Sequence, residues 1–202
     1  MGTLKRYKEK RDFTKTKEPR GVKKKSTIKK PIFVIQQHAA RAMHYDFRIE
    51  IGGVLVSWAV PKGPSLNPRI KRLAIMTEDH PIEYARFEGI IPEGEYGAGP
   101  VIIWDKGIYK NIRKHNGKEV SMKKCLNEGQ IEIFLEGEKL EGGYALVRTN
   151  GQTKEKSRWL LIKMRDGFAD ARRNPTSRQP ESVKSGQTIK NLKAKIKQKT
   201  EK

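Results

Sequence analysis

His44-Tyr45-Asp46-Phe47-Arg48-Ile49-Glu50-Ile51, then Gly52-Gly53, then Val54-Leu55-Val56-Ser57-Trp58-Ala59-Val60 is the stretch that decides the fold class. Side chains along a strand alternate between two faces. The first run therefore sets Tyr45, Phe47, Ile49 and Ile51 on one side and His44, Asp46, Arg48 and Glu50 on the other. Two glycines joining two such runs read as a hairpin turn. The same period of two recurs outward in both directions, with turn residues at short intervals, and predicts strands over 32–38, 72–77, 100–104, 107–110, 130–135, 143–148 and 159–164. Short helices are expected only at 39–43 and 121–126. No long amphipathic helix and no internal repeat is visible, so the expectation is an antiparallel all-β domain, a barrel or sandwich with a filled interior.

Composition places this domain within the chain. Of 202 residues, 44 are Lys or Arg and 23 Asp or Glu, a formal charge of +21, with a sequence pI near 10.1. Residues 1–31 and 171–202 carry +10 and +8 of that charge, whereas residues 32–170 hold 21 basic and 18 acidic side chains and most of the aromatics. Three segments are expected: a basic arm (1–31), a folded β domain (32–170) and a basic disordered tail (171–202). Both ends hold too little apolar surface to offset the ~1–2 kcal/mol per residue of backbone ordering. Lys23-Lys24-Lys25 and the alternation from Lys190 to Lys199 suit phosphate neutralisation, which is salt-dependent. Tyr7 and Phe13 suggest that part of the first arm docks on the domain. A polyanion, nucleic acid first, is the expected partner.

No apolar run reaches the ~20 residues a bilayer crossing needs, and Met1-Gly2-Thr3-Leu4-Lys5-Arg6 lacks the apolar stretch of a signal peptide. A cytoplasmic protein without membrane contact is expected. The single cysteine, Cys125, excludes an internal disulfide and a zinc finger built on thiolates.

The polar face of the opening stretch carries the chemistry. His44, Asp46 and Arg48 at two-residue intervals can hold a cation and an anion side by side, and Gln36 and His38 share a face at the end of the preceding strand. Two imidazoles and a carboxylate make a three-ligand set that leaves positions open for water and substrate, as a catalytic metal requires. Imidazole suits zinc; an acidic oxygen ligand with phosphate as the other partner suits manganese, and the residues do not choose. The Arg48 fork can take two phosphate oxygens. Farther on, Pro81 holds His80 extended. His80 and Tyr84 form a candidate phosphate-contacting or general-acid pair. Lys62 and Arg72 are weaker candidate cations. The stretch from Pro92 to Pro100 lacks the Lys-Ser/Thr of a P-loop and reads as a shaped loop. Two other readings fit parts of this pattern. One is an iron oxygenase with a His-x-Asp facial triad and Arg86 for a cosubstrate carboxylate; the other is a non-catalytic basic nucleic-acid-binding protein, which leaves the clustered His38, His44 and Asp46 without a role.

The run Phe33-Val34-Ile35-Gln36-Gln37-His38-Ala39-Ala40-Arg41-Ala42-Met43-His44-Tyr45-Asp46-Phe47-Arg48, followed by Ser57-Trp58-Ala59-Val60-Pro61-Lys62-Gly63-Pro64 and Pro92-Glu93-Gly94-Glu95-Tyr96-Gly97, closely resembles the 3′-phosphoesterase domain of bacterial DNA ligase D and its free-standing relatives. The similarity runs from about residue 10 to residue 164. It implies a compact β-barrel that uses Mn2+, with Zn2+ or Co2+ as substitutes. The implied activity removes a terminal ribonucleoside from the 3′ end of a DNA or RNA/DNA primer-template and then the remaining 3′-phosphate, leaving a 3′-OH for repair by non-homologous end joining. The resemblance makes His38, His44 and Asp46 metal ligands, has Arg48, His80 and Tyr84 engage the scissile phosphate, and sets Gln36 nearby. Arg11, Asp12 and Glu18, in Lys10-Arg11-Asp12-Phe13 and Glu18-Pro19, match an amino-terminal motif expected to fold over the site. Lys62 and Arg72 match basic residues of the phosphomonoesterase step, and Glu78 an acidic position of unassigned role. Polymerase and ligase domains have no room in 202 residues, so a monomer working with a separate DNA ligase and polymerase in trans is expected.

Overall fold

A computed structural model describes residues 4–21, 30–149 and 157–200; the Lys23-Lys24-Lys25 run lies outside the described residues. Nine strands make one antiparallel sheet: β1 (Ile32–Ala39), β2 (Met43–Ile51), β3 (Val54–Val60), β4 (Lys71–Met76), β5 (Gly89–Ile91), β6 (Gly99–Asn111), β9 (Gln130–Gly137), β10 (Glu141–Arg148) and β11 (Arg158–Lys163). The two-residue strands β7 (Lys114–His115) and β8 (Lys118–Glu119) form a separate hairpin. The order β1-β2-β3-β4-β11-β10-β9-β6 closes because β1 also pairs with β6, and β5 lies outside it on β6. The fold is therefore an all-β, eight-stranded closed barrel, which removes exposed sheet edges.

The period-two pattern sorts the inner face as expected. Phe33, Ile35, Tyr45, Phe47, Ile49, Val56, Trp58, Leu135, Leu146, Trp159 and Leu161 fill the barrel. Trp58 and Trp159 meet edge-on with centroids 5.5 Å apart, and each such buried side chain contributes ~1.5–3 kcal/mol of transfer free energy. Where two strands were expected at 100–104 and 107–110, one strand, β6, runs through. Its early residues pair with β1 and its later ones with β9. Gly107 sits at that handover, where a Cβ would come within 2.0 Å of the Glu136 carbonyl oxygen. The glycine is a close-approach position, not a break. No helix forms at 39–43; the chain bends there between β1 and β2. The other expected helix is α2 (Met122–Glu128), N-capped by Ser121 and ended by Gly129 in the left-handed region, φ 79°.

Alternation did not reveal that the outer face of β1, β2, β3 and β6 is also covered. Val34, Leu55, Val101 and Ile103 point outward into a second apolar layer with Tyr7, Tyr84, Phe87 and Ile91. Tyr7 comes from α1 (Lys5–Glu9), and Tyr84 from a 3-10 turn, Ile82–Arg86. The functional face therefore lies between the barrel wall and this cover.

The segment 171–200 differs from the disordered tail expected for it. Trp104 Nε1 donates to Gln179 O at 2.7 Å and Val183 N to Ile103 O at 2.9 Å. Ser182 Oγ donates to Glu88 Oε2 at 2.5 Å. The short helix α3 (Pro175–Arg178) buries Pro175, and α4 (Ile189–Thr200) buries Ile189 against Ala39 and Ile102. Composition undercounted this segment because polar backbone anchors, more than apolar area, hold it to the barrel.

Candidate metal centre and its cationic cover

The register of β1 on β2 builds the centre. His38 stands directly opposite His44 and Gln36 opposite Asp46, while β3 sets Ser57 opposite Arg48. Directly paired residues share a face, so these groups converge on the outer wall. His38, His44 and Asp46 each present one ligand atom, all within 4.8 Å of one another. Asp46 Oδ2 lies 3.5 Å from His38 Nδ1 and 3.7 Å from His44 Nε2.

The far side of each imidazole fixes its tautomer. His38 Nε2 is 2.7 Å from Gly97 O, and His44 Nδ1 is 2.9 Å from Ala42 O. A carbonyl only accepts, so the ring protons sit on those nitrogens. The lone pairs of His38 Nδ1 and His44 Nε2 then face Asp46, the outer hydrogen-bonding arrangement of metal-bound histidines. Two bonds of ~2.1 Å meeting at a tetrahedral angle set their donor atoms ~3.4 Å apart. The two spacings to Asp46, 3.5 and 3.7 Å, are close to that, so the donor set fits a divalent transition cation. His38, His44 and Asp46 would hold it.

Arg48 is buried beside them and is held on three sides. Its Nε donates to Gln36 Oε1 at 2.8 Å, Nη1 lies 3.0 Å from His80 Nδ1, and Nη2 is 3.1 Å from Asp46 Oδ2. Gln36 is locked in turn by donating to the carbonyls of Tyr84 and Phe87. Nε and Nη2 each commit one N–H, and a third, on Nη1, is turned to the His80 ring, whose Nδ1 lies 2.9 Å from the Glu78 carbonyl oxygen and so carries the ring proton; two N–H groups remain for a ligand. Burial opposes charge on Asp46, but the Arg48 guanidinium beside it outweighs this and holds the carboxyl well below its usual range. Burial also opposes charge on His44, yet the adjoining Asp46 raises its proton affinity. The electron pair that would take that proton is the one a cation would take.

The amino-terminal arm closes the other side. Arg11 Nη2 is 3.3 Å from His80 Nε2, so His80 lies between two guanidiniums. Burial, then Arg48 and Arg11, push its pKa well below the ordinary value, and the ring is neutral. It can share a hydrogen bond but cannot deliver a proton as an imidazolium. Tyr84 is likewise held protonated, its pKa raised by burial; its hydroxyl donates to Glu18 Oε1 at 2.9 Å. The same oxygen accepts from Arg11 Nε at 2.8 Å, and Glu18 Oε2 accepts from Thr16 at 3.0 Å. Glu78 is half-buried; burial opposes its charge, but a backbone hydrogen bond and then Lys10 and Arg11 hold it below the usual carboxylate range, and it anchors the arm at 3.0 Å and 3.3 Å.

A cleft of about 650 Å³ is lined by Arg11, His38, His44, Asp46, Arg48, His80 and Tyr84 among others. Gln36 sits behind this lining as a support. Three of the residues singled out in the sequence lie apart from it. The Asp12 carboxylate is exposed and accepts from Thr14 N and Oγ1. Lys62 is exposed in the turn after β3. Arg72 pairs with Leu161, which puts it on the inner face of the barrel. Arg41, Glu95 and Tyr96 also line the cleft; they lie in the stretches that carry the family resemblance, but the sequence alone assigns them no role. Gly97 in that loop has φ 79°, and its carbonyl orients His38.

The family model for the DNA ligase D 3′-phosphoesterase domain matches residues 36–148. The multifunctional non-homologous end joining protein LigD of Pseudomonas aeruginosa is 44% identical over 189 residues, 92% of this chain and 22% of that protein. The multifunctional non-homologous end joining DNA repair protein LigD of Mycobacterium tuberculosis is 48% identical over 163 residues, 81% of this chain and 20% of that protein. A LigD from Mycolicibacterium smegmatis is 45% identical over 160 residues, 79% of this chain and 20% of that protein. The chain spans about a fifth of the length of these curated relatives.

Proposed function

Since this chain belongs to the DNA ligase D 3′-phosphoesterase domain family, we propose that it is a metal-dependent 3′-end-healing enzyme of DNA repair. It removes a terminal ribonucleoside from a primer-template and then the resulting 3′-phosphate, leaving a 3′-OH for non-homologous end joining by a ligase and polymerase. One observation carries the reading: two histidines and an aspartate converge within 4.8 Å beside the guanidiniums of Arg48 and Arg11, which flank neutral His80. Three electron-pair donors call for a cation, and the adjoining free N–H groups call for an oxyanion.

When bound, the metal supplies Lewis-acid polarisation of a phosphate oxygen and a lowered pKa for water; Mn2+ is the cation we assign. The protein's own part is electrostatic. Arg48 offers its two uncommitted N–H groups to the nonbridging oxygens, whose charge grows in the transition state. Arg11 faces the same space from the arm, and its position is set by Glu18 and Glu78. His80 keeps the two guanidiniums apart without adding charge. Tyr84 holds Glu18, and Glu18 holds the arm.

The test is hydrolysis of a labelled primer-template ending in a ribonucleotide or a 3′-phosphate, with Mn2+, with chelator, and with His44→Ala. Trimming that needs the metal and disappears in the variant is expected. Binding without hydrolysis across several divalent metals would overturn the reading in favour of a non-catalytic nucleic-acid-binding protein.

A further inference from the structure

The α4 helix, Ile189–Thr200, has the sequence Ile-Lys-Asn-Leu-Lys-Ala-Lys-Ile-Lys-Gln-Lys-Thr, with five lysines and no acidic residue. Its first turn is pinned on β1 and β6, the strands that carry His38 and its pair Val101, but on the other face of the wall from the metal centre. Ile189 and Leu192 pack on Ala39 and Ile102; Ala39 follows the ligand His38 directly, and Ile102 adjoins Val101, which pairs with His38. The start is also capped. Thr188 N donates to Asn191 Oδ1 at 2.9 Å, and Asn191 N donates back to Thr188 Oγ1 at 3.2 Å.

Lys190, Lys193 and Lys195 are exposed, and among the described residues none of the three has a carboxylate at ion-pair distance. Lys195 Nζ is held by the neutral Gln187 Oε1 at 3.1 Å. Lys190 and Lys193, one turn apart, repel each other with no acid to offset them. A surface helix carrying only one sign of charge gains most by meeting a polyanion. Arg41, in the bend after Ala39, lines the metal cleft, at the same end of β1 on which the root of α4 packs through Ala39. At 1.5 Å per residue the helix is ~18 Å long, about five base-pair steps of 3.4 Å.

We propose that α4 is a phosphate-binding arm that grips the backbone of the nucleic-acid stem behind the 3′ end seated in the metal cleft. This rests on the reading above for which end lies in the cleft, but the binding it describes does not depend on hydrolysis. Its physical role is to fix the stem by counterion release while the cleft holds the terminal phosphate. It also gives the lysine-rich C-terminal segment a place: docked at the root, on the strands that carry the site.

The test compares the full chain with Lys190→Gln/Lys193→Gln/Lys195→Gln, which keeps Ile189 and Leu192. As a control, Lys114→Gln/Lys118→Gln/Lys123→Gln removes the same charge at the opposite end of the barrel. The probe is a labelled primer-template duplex with a recessed 3′-phosphate, bound in chelator at several salt concentrations, with thermal melting to confirm folding. The α4 variant is expected to bind about tenfold or more weakly at low salt, and its slope of log K against log salt to shrink by about 0.9 for each phosphate no longer neutralised. The control is expected to change both much less. Equal losses in the two variants, or none in the α4 variant, would overturn the proposal. Hydrolysis by the unaltered chain with Mn2+ is scored separately. Its absence, with the α4 effect intact, would defeat the enzymatic reading and leave this one standing.

Discussion

The hydroxyl of Tyr84 donates to the carboxylate of Glu18 at 2.9 Å, joining residues 66 apart in sequence. Because the same Glu18 oxygen takes Arg11 Nε, this one carboxylate ties the amino-terminal arm to the wall of the metal cleft. Glu18→Ala is expected to release Arg11 and lower kcat on a 3′-phosphate primer-template about a hundredfold, since displacement of a positioning group by ~1 Å costs that much. Glu18→Gln still accepts from Tyr84 and should recover part of the loss. Equal activity in Glu18→Ala and the unaltered protein would show that the arm contributes nothing to the reaction.

Asp46 serves both a cation and Arg48. Replacing it with Asn removes the charge that balances a guanidinium only 3% exposed, and breaking a buried pair from one side costs ~3–5 kcal/mol. Asp46→Asn is expected to lose Mn2+ binding in titration calorimetry and also to unfold at lower denaturant concentration without metal. A variant that loses metal at unchanged stability would contradict the role given to the pair.

Gly97 has φ 79°, where a side chain is strained, and a Cβ would lie 3.4 Å from His38 Cε1. Gly97→Ala should shift the carbonyl that orients His38. The outer partners of metal-bound histidines are worth ~10–100-fold in affinity. A drop in Mn2+ affinity of that order, with the fold retained by circular dichroism, is the outcome to look for.

His80 is held neutral between Arg48 and Arg11 with its pKa well below normal. The unfolded chain, with an ordinary histidine near 6.5, binds a proton there that the folded chain refuses. Its contribution is fully present above ~6.5 and is lost as pH falls from there toward the folded pKa, at up to ~1.4 kcal/mol per pH unit. His44, whose proton affinity is raised, acts in the opposite sense. Denaturant titrations in chelator from pH 7.5 downward should therefore show a shallower loss in His80→Gln than in the unaltered protein. Parallel curves would disprove the neutral, buried state.

The sequence by itself determined whatever depends on neighbours along one strand or across one tight turn. A period of two and a two-glycine hairpin suffice to put His44, Asp46 and Arg48 on one face. The sequence placed His38 and His44 six residues apart near one polar face, but the helix expected at 39–43 hid the β1–β2 register that sets the two imidazoles opposite each other. Only the tertiary structure decided what lies over that face. Val34 and Leu55 are apolar on the outer side because Tyr7 and Tyr84 arrive there from distant segments, and no local period records such a contact. For the same reason Glu18 reached the site while Asp12, six residues before it, turned to its own loop. Arg72 became an inner-face residue because β4 pairs with β11 across a barrel closure that no single strand specifies. The basic C-terminal segment, read as a solvated tail from its charge, became anchored because polar groups of β6 and of Glu88 before β5 hold residues 179–183 and Ile189 seats the following helix on Ala39 and Ile102. Charge and apolar content are sums over a segment. The contacts that order it are pairings over distance, and those exist only once the barrel has closed.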